Sequence, residues 1–344
     1  MSTPVKLISL HQREAHERTW TPFFTEKVKS LGDYTRYENT VEWSDDQKAE
    51  KIREADVLLT GWDAPAVPEE LSENPGRLRY ICHIHGEIRR LISRKIVSSP
   101  ILVSNWGPAP GPGVAEGAMT MLLASLKMIP AHVTEKRAGQ WQIKQKEWAG
   151  TLRNLRVGIY GMGVIGKEVV KLLTPFGSRL KGFDPYAKDW PEAVERLPSL
   201  DDLFAEVDAV VVTAGLNEET RRSVAADQLA RLPNGGIVVN VARGAIIDQT
   251  ALLAEVRAGR LRAGLDVLDT DGKDWMEPDD ADRQLPNLLL TGHSVSFSPW
   301  NHSLPGNENL LVPFQEICLE NLRLFRDGEE PRYCFTSERY DLST

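Results

Sequence analysis

The sequence predicts an α/β protein of two domains, each built around a parallel sheet. Its 344 residues are more than one hydrophobic core ordinarily organises, and comfortable for two. From Leu155 onward, short β-branched runs alternate with helical stretches, the pattern of βαβ units. The N-terminal third repeats that alternation on a smaller scale.

In chain order, the smaller sheet takes strands at 5–9, 56–60, 79–84 and 101–104, each a short apolar run. The run Gly107-Pro108-Ala109-Pro110-Gly111-Pro112-Gly113 follows, which can continue neither a helix nor a sheet interior, and it marks the domain boundary. The most apolar stretch, 114–129, is shorter than a membrane span and is interrupted by Glu116 and Lys127, so it reads as a buried helix. The larger sheet takes strands at 156–160, 180–183, 209–213, 236–241, 263–268 and 288–291. One helix runs over 165–176 and stops at Gly177. Another starts behind Asp248 as N-cap, places Leu252, Leu253 and Val256 on one side, and stops at Gly259. After Trp300 the alternation ends, and a last helix over 313–325 is expected to cross back onto the N-terminal domain. The predicted division is 1–107 plus 301–344 for the smaller domain and 108–300 for the larger, with a helical arm over 113–150.

Hydrophobic residues at 41% and charged residues at 26%, both signs interspersed, fit a globular enzyme and exclude a disordered or fibrous chain. The net charge of -8 and pI near 5.5 argue against a nucleic-acid surface. Cys82, Cys318 and Cys334 form neither a CxxC pair nor a metal-ligand cluster, and an odd count suits reduced thiols, so no metal is expected. Residues 1–10, followed by His11, Arg13, Glu14 and His16, lack a signal-peptide core. With no membrane segment expected, the cytoplasm follows by elimination. No regulatory domain is expected after Thr344.

The strongest motif is Gly161-Met162-Gly163-Val164-Ile165-Gly166, directly after the strand at 156–160 and directly before a helix. The first glycine permits the tight turn, the second lets backbone approach a pyrophosphate, and the third lets helix and strand pack closely; the helix N-terminus turns N–H groups toward the phosphates. Asp184, eighteen residues after Gly166 and at the end of the next strand, would accept ribose hydroxyls and repel a 2′-phosphate. A glycine turn alone is weak; strand, helix and spaced acid together make a Rossmann dinucleotide site with NAD favoured over NADP.

Reducing a 2-keto acid needs a cation for the carboxylate and the polarised carbonyl, a proton donor, and a partner that tunes the donor. Arg243 follows the strand at 236–241, on the edge where open α/β sheets bind ligands, and its planar fork can hold a carboxylate through two hydrogen bonds. His293 follows the strand at 288–291 on the same edge and is a suitable acid and base. Taken singly, an arginine in such a place is more often a surface ion pair, and a lone histidine more often structural. The remaining histidines, His83 and His85 among them, lack this placement.

Taken jointly, these residues resemble the D-2-hydroxyacid dehydrogenase family over most of the chain. The matching stretches are Val114-Ala115-Glu116, Gly139-Gln140-Trp141, the glycine motif with Phe183-Asp184-Pro185-Tyr186, Asn240 to Gly244, Leu265-Asp266-Val267, and Pro286-Asn287 leading to Thr291-Gly292-His293. The resemblance implies a Rossmann dinucleotide-binding domain and a smaller flavodoxin-like substrate domain with a cleft between them. It implies NAD as cofactor, a small 2-hydroxy or 2-keto acid as substrate, and a homodimer built on the helical region after Gly113. Arg243 would bind and polarise the keto acid, His293 exchange the proton, and Asp266 orient the nicotinamide amide. The cofactor surface expected on this footing comprises Gly161, Gly163, Val164, Ile165, Gly166, Asp184, Pro185, Tyr186, Thr213, Gly215, Val241, Ala242 and Asp266.

Two departures stand out. The family has a glutamate, usually followed by proline, five positions after the aspartate that matches Asp266; here that position is Asp271, followed by Gly272. A Glu-Pro pair occurs instead at Glu277-Pro278, so the partner of His293 is either Asp271 or a displaced Glu277, with the preserved offset from the strand end favouring Asp271. The family also usually has proline before the histidine, where this chain has Gly292. In the smaller domain the substrate carboxylate is expected on the loop His85-Gly86-Glu87, and Glu87 either points away or reshapes which acids are accepted. Trp106 and Trp300 are candidate cleft residues, although tryptophan is more often core.

The main rival is a non-catalytic NAD-sensing protein on the same fold, like the family's corepressor relatives. It would need only the glycine turn and Asp184, not an arginine, a histidine and a carboxylate. A relative acting on formate or phosphite and an NAD-using homocysteine hydrolase fit less well: formate dehydrogenases carry glutamine where a carboxylate is read here, and the hydrolase needs a longer chain and further substrate residues.

Overall fold

Parallel strands covered on both faces read as nearly continuous apolar runs, and most of the predicted strands are of that kind. The computed structural model describes residues 4–14, 19–141, 149–269, 280–295, 306–307 and 309–342. The chain divides into two compact units, Met1–Pro110 with Pro299–Thr344, and Gly111–Ser298.

In the first unit, β1 (Lys6–Leu10), β2 (Asp33–Tyr37), β3 (Val57–Thr60), β4 (Tyr80–His83) and β5 (Leu102–Ser104) form one parallel sheet in the order β2-β1-β3-β4-β5. That is the flavodoxin-like order. Alternate residues of each strand serve opposite faces. Leu58 and Ile81 join a cluster with Ile52, Leu71 and Ile92, while Val57, Leu59, Tyr80 and Cys82 pack with Phe24 and Val28. The helix Pro313–Arg326 adds Cys318, Leu319 and Leu322 to that second face, so this C-terminal helix packs within the N-terminal unit.

The second unit carries β6 (Arg156–Tyr160), β7 (Arg179–Phe183), β8 (Val194–Arg196), β9 (Ala209–Val212), β10 (Gly236–Asn240), β11 (Leu261–Leu265) and β12 (Leu288–Leu290), all parallel, in the order β12-β11-β10-β9-β6-β7-β8. Renumbered from β6, this is the 3-2-1-4-5-6 order of the dinucleotide fold, extended by one strand. Asp248 caps the helix Gln249–Arg257 through Oδ1, which accepts from Ala251 N at 3.0 Å. Gly177 and Gly259 take φ of +72° and +71° beyond their helices.

Three expectations need correction. The Pro/Gly run does not bar a helix, because the helix Gly111–Leu126 begins inside it. Pro112 sits in the first turn, where its missing N–H has no intrahelical partner to lose. Two strands, β2 and β8, were not expected. Both are sheet edges rich in polar residues: no residue of β2 is fully buried, and of β8 only Val194 is. The long helix bends by 60° at Met128, whose φ is +56°, and continues as Ile129–Arg137. Among the described residues no single helix is long and apolar enough to cross a membrane.

Candidate active site

The turn after β6 is built as the motif requires. Gly161 has φ of +98°, and a Cβ there would come within 2.5 Å of Ala214 backbone. A Cβ on Gly166 would lie 2.1 Å from the carbonyl of Gly161. Gly163, the N-cap of the helix Val164–Leu173, differs from both: nothing lies within 4 Å of its missing Cβ, and its φ of -75° suits any residue. No packing or backbone requirement within the protein explains this glycine, whereas close approach by a phosphate does. Val164 is 46% exposed beside it, and Ile165 is half-buried.

Asp184 stands just past β7. Its Oδ2 accepts from Met162 N at 2.7 Å, and its Oδ1 accepts from Tyr186 N at 2.8 Å and Ala187 N at 3.1 Å. The carboxylate thus pins the glycine turn and keeps one acceptor position on Oδ2 for a sugar hydroxyl. Pro185 and Tyr186 are exposed, and the Tyr186 hydroxyl donates to Glu219, a bond that pushes the phenol pKa up. Thr213 spends its hydroxyl on the turn itself, donating to Gly161 O at 2.7 Å. Gly215 is exposed, and its carbonyl accepts from Thr220 Oγ1 at 2.7 Å.

Arg243, Asp266 and His293 follow the carboxyl ends of three adjacent strands, β10, β11 and β12. Asn240, only 1% exposed, shapes the first loop: Oδ1 accepts from Ala242 N at 3.0 Å and Nδ2 donates to Arg243 O at 3.0 Å. Val241 and Ala242 are buried behind it, and Arg243 Nη1 donates to Ala242 O at 2.8 Å. Asp266, 5% exposed, wires the last loop to the sheet. Its Oδ1 accepts from Thr291 Oγ1 at 2.6 Å, Ser294 N at 2.9 Å and Val295 N at 3.1 Å, and its carbonyl accepts from His293 N.

Gly292 and His293 both take left-handed φ, +62° and +56°. A proline at 292 could not adopt that angle, so this turn is one the family's usual proline would forbid. His293 is exposed. Asp271, Glu277 and Trp300 lie outside the described residues.

In the first unit His85, Gly86 and Glu87 follow β4. The imidazole of His85 is 4% exposed, stacked on Trp62 with centroids 4.0 Å apart. Trp62 N donates to its Nδ1 at 3.1 Å, so the ring proton sits on Nε2 in the neutral form. Gly86 lies against Trp106: a Cβ would be 2.6 Å from the indole. Glu87 turns back on its own loop, where Oε1 accepts from Arg90 N at 3.0 Å. Neither Trp62, on the strand end beside β4, nor the Asn240 clamp was anticipated. The signal for the clamp was a lone amide at the end of an otherwise apolar strand.

Glycine turn, spaced acid and strand order define a dinucleotide-binding domain of the Rossmann class, and the free space at Gly163 fits a nicotinamide dinucleotide. Among the described residues no group of acids, histidines and cysteines could hold a metal. A family profile described as D-isomer specific 2-hydroxyacid dehydrogenase, NAD binding domain, matches residues 119–295. The hydroxypyruvate reductase of Thermotoga maritima is 32% identical over 256 residues, covering 72% of this chain and 80% of that protein. The D-3-phosphoglycerate dehydrogenase of Methanocaldococcus jannaschii is 29% identical over 313 residues, 90% of this chain, which spans 57% of the length of that relative. A solved D-2-hydroxyisocaproate dehydrogenase superposes with a TM-score of 0.77 at 21% identity, covering 96% of this chain and 99% of the other. The chain belongs to the D-isomer specific 2-hydroxyacid dehydrogenase family, whose members are oxidoreductases that use a nicotinamide dinucleotide.

Proposed function

We propose that the chain is an NAD-dependent D-2-hydroxyacid dehydrogenase, acting as a 2-keto acid reductase in the reverse sense. The observation that carries the reading is the grouping of Arg243, Asp266 and His293 at the carboxyl ends of three neighbouring strands, in the same sheet as the glycine turn. Bound NADH supplies the hydride for C2 of the acid. Arg243 holds the carboxylate and draws charge onto the carbonyl oxygen, and His293 gives that oxygen its proton; in oxidation it takes the proton back. Asp271, or Glu277 in its place, stabilises the imidazolium. Asp266 orients the nicotinamide amide, and the loop His85-Gly86-Glu87 grips the carboxylate with backbone N–H groups. Asp184 favours NAD, since a 2′-phosphate beside its carboxylate brings like charges together.

The names of the relatives point to small acids, so the test is NADH oxidation with glyoxylate, hydroxypyruvate, pyruvate, phenylpyruvate and branched 2-keto acids. Arg243→Ala and His293→Ala are each expected to lower turnover by about 10²–10⁴-fold with NADH binding retained. Asp271→Asn and Glu277→Gln separate the two candidates for the third role. NADH binding without turnover of any acid would favour the sensor reading instead. The same proposal includes a homodimer through the arm over 113–150. Support comes from Ile129, Val133 and Trp141, which are 47%, 41% and 87% exposed on it, and sedimentation checks it.

A further inference from the structure

The turn that carries Arg243 is flanked on both sides by groups with no part in the chemistry above. On one side residues 222–224 run beside it, joined by an isolated parallel bridge between Val224 and Ile247. Arg222 N donates to Ala245 O at 2.7 Å, Val224 N to Ile246 O at 3.2 Å, and Asp248 N to Val224 O at 2.9 Å. On the other side Gly244 is pressed against the segment after β11, where a Cβ would fall 1.9 Å from the carbonyl of Leu268. Spanning the two flanks, Arg222 Nη2 reaches Asp269 Oδ2 at 3.3 Å.

Two features set this contact apart from an ordinary surface ion pair. The side chain of Asp269 is 3% exposed, so its charge is out of water and depends on its partners. Arg222 has φ of +49°, a left-handed conformation that glycine takes freely and arginine does not. Backbone ease alone would place glycine here. Arginine stands there instead, with its guanidinium on a buried carboxylate, and backbone strain of this kind persists where the surroundings hold it for a reason.

We propose that Arg222 and Asp269 are positioning residues for Arg243: their bridge closes the turn 244–246 between its two flanks and fixes the direction in which the Arg243 guanidinium leaves it. The inference rests on the role given to Arg243 above. A displacement of about 1 Å in a substrate-orienting group costs on the order of a hundredfold in rate. Opening the bridge removes the side-chain tie between the two flanks, while the backbone bonds of residues 222–224 and the glycine turn after β6 keep their partners.

The test uses the full chain with Arg222→Gly, Arg222→Lys, Asp269→Asn, Arg243→Lys and the double variant Arg222→Gly with Arg243→Lys. Glycine suits the backbone at 222, so Arg222→Gly separates loss of the bridge from backbone strain. Asp269→Asn removes the carboxylate charge from the bridge without touching that backbone, which keeps the test open if one variant fails to fold. Expected are NADH affinity within about twofold of the parent and kcat/KM for the keto acid down by roughly 10–100-fold, with partial recovery in Arg222→Lys. On the Arg243→Lys background, Arg222→Gly should cost no more than about twofold further, the mark of two residues acting through one group. Parent-level kcat/KM in both Arg222→Gly and Asp269→Asn overturns the proposal, as does a full additional loss in the double variant. Parent-level activity in Arg243→Lys and in Arg243→Ala overturns instead the role of Arg243.

Discussion

Alanine at Gly163 and alanine at Gly166 add the same methyl group to one turn with opposite consequences. At Gly163 the methyl enters space with nothing within 4 Å, on a backbone any residue can adopt. Stiffening the unfolded chain gains about 0.4–1 kcal/mol, and replacing a glycine N-cap by alanine loses a similar amount. Stability should therefore stay within about 0.5 kcal/mol, or about 2 °C in melting temperature. At Gly166 the methyl meets the carbonyl of Gly161 at 2.1 Å, and that carbonyl is itself held by the Thr213 hydroxyl. Neither side can yield, so the cost is about 1–3 kcal/mol and a fall of roughly 2–10 °C. Binding should rank the other way: with a pyrophosphate over Gly163, Gly163→Ala weakens NADH by at least about tenfold, near 1.4 kcal/mol, with little change in melting. Thermal unfolding without cofactor, together with quenching of protein fluorescence by NADH, reads both quantities. A Gly163→Ala variant that melts and binds NADH like the parent would refute the idea that the free space at this glycine belongs to the cofactor.

Two further outcomes are expected. Asp184→Ala removes a charge and the acceptor for Met162 N, Tyr186 N and Ala187 N, so NADH should bind less tightly and the NADPH-to-NADH ratio of kcat/KM should rise by about tenfold; steady-state kinetics with both cofactors checks it. Burial, with His85 and Arg90 nearby, holds the pKa of His83 down to about 3, below the ordinary histidine value near 6.5. Between those values the unfolded chain binds a proton that the folded chain refuses. The stability contributed by neutral His83 is therefore complete above about pH 6.5 and declines by about 1.4 kcal/mol per pH unit as pH falls toward 3. Melting temperatures from pH 7.5 to 4.5 should fall more steeply for the parent than for His83→Gln, and parallel slopes would contradict the assignment.

Much of the architecture could be read from the sequence because buried parallel strands leave no choice of residue. The run Arg156–Tyr160 and the apolar stretches that became β9, β10 and β12 were located to within one residue at either end. Edge strands are legible only when they look like interior ones, and Asp33–Tyr37 does not: it pairs on one side and presents polar residues to water. The turn at Gly161 and Gly166 was legible because each answers a local demand of the fold, a positive φ at the first and close packing at both, whereas Gly163 answers none within the protein. Less legible was how polar side chains would be used. Thr213 and Glu87 sit where ligands could be expected, yet one bonds to the glycine turn and the other to its own loop. Those choices depend on which backbone donors and acceptors fold alongside, and spacing in one dimension does not record it.

The four bonds that Asp266 accepts from residues 291–295 have an evolutionary consequence. They key the histidine loop to the sheet, while Asn287 Nδ2, bonded to Val256 O and Leu261 O, anchors the approach to β12. Insertions and deletions between Asp269 and Asn287 can then accumulate without shifting the backbone that carries His293, although they move whichever of Asp271 and Glu277 is its partner. A lineage can thus vary the length of that segment while the backbone of the loop after β12 stays locked to the end of β11.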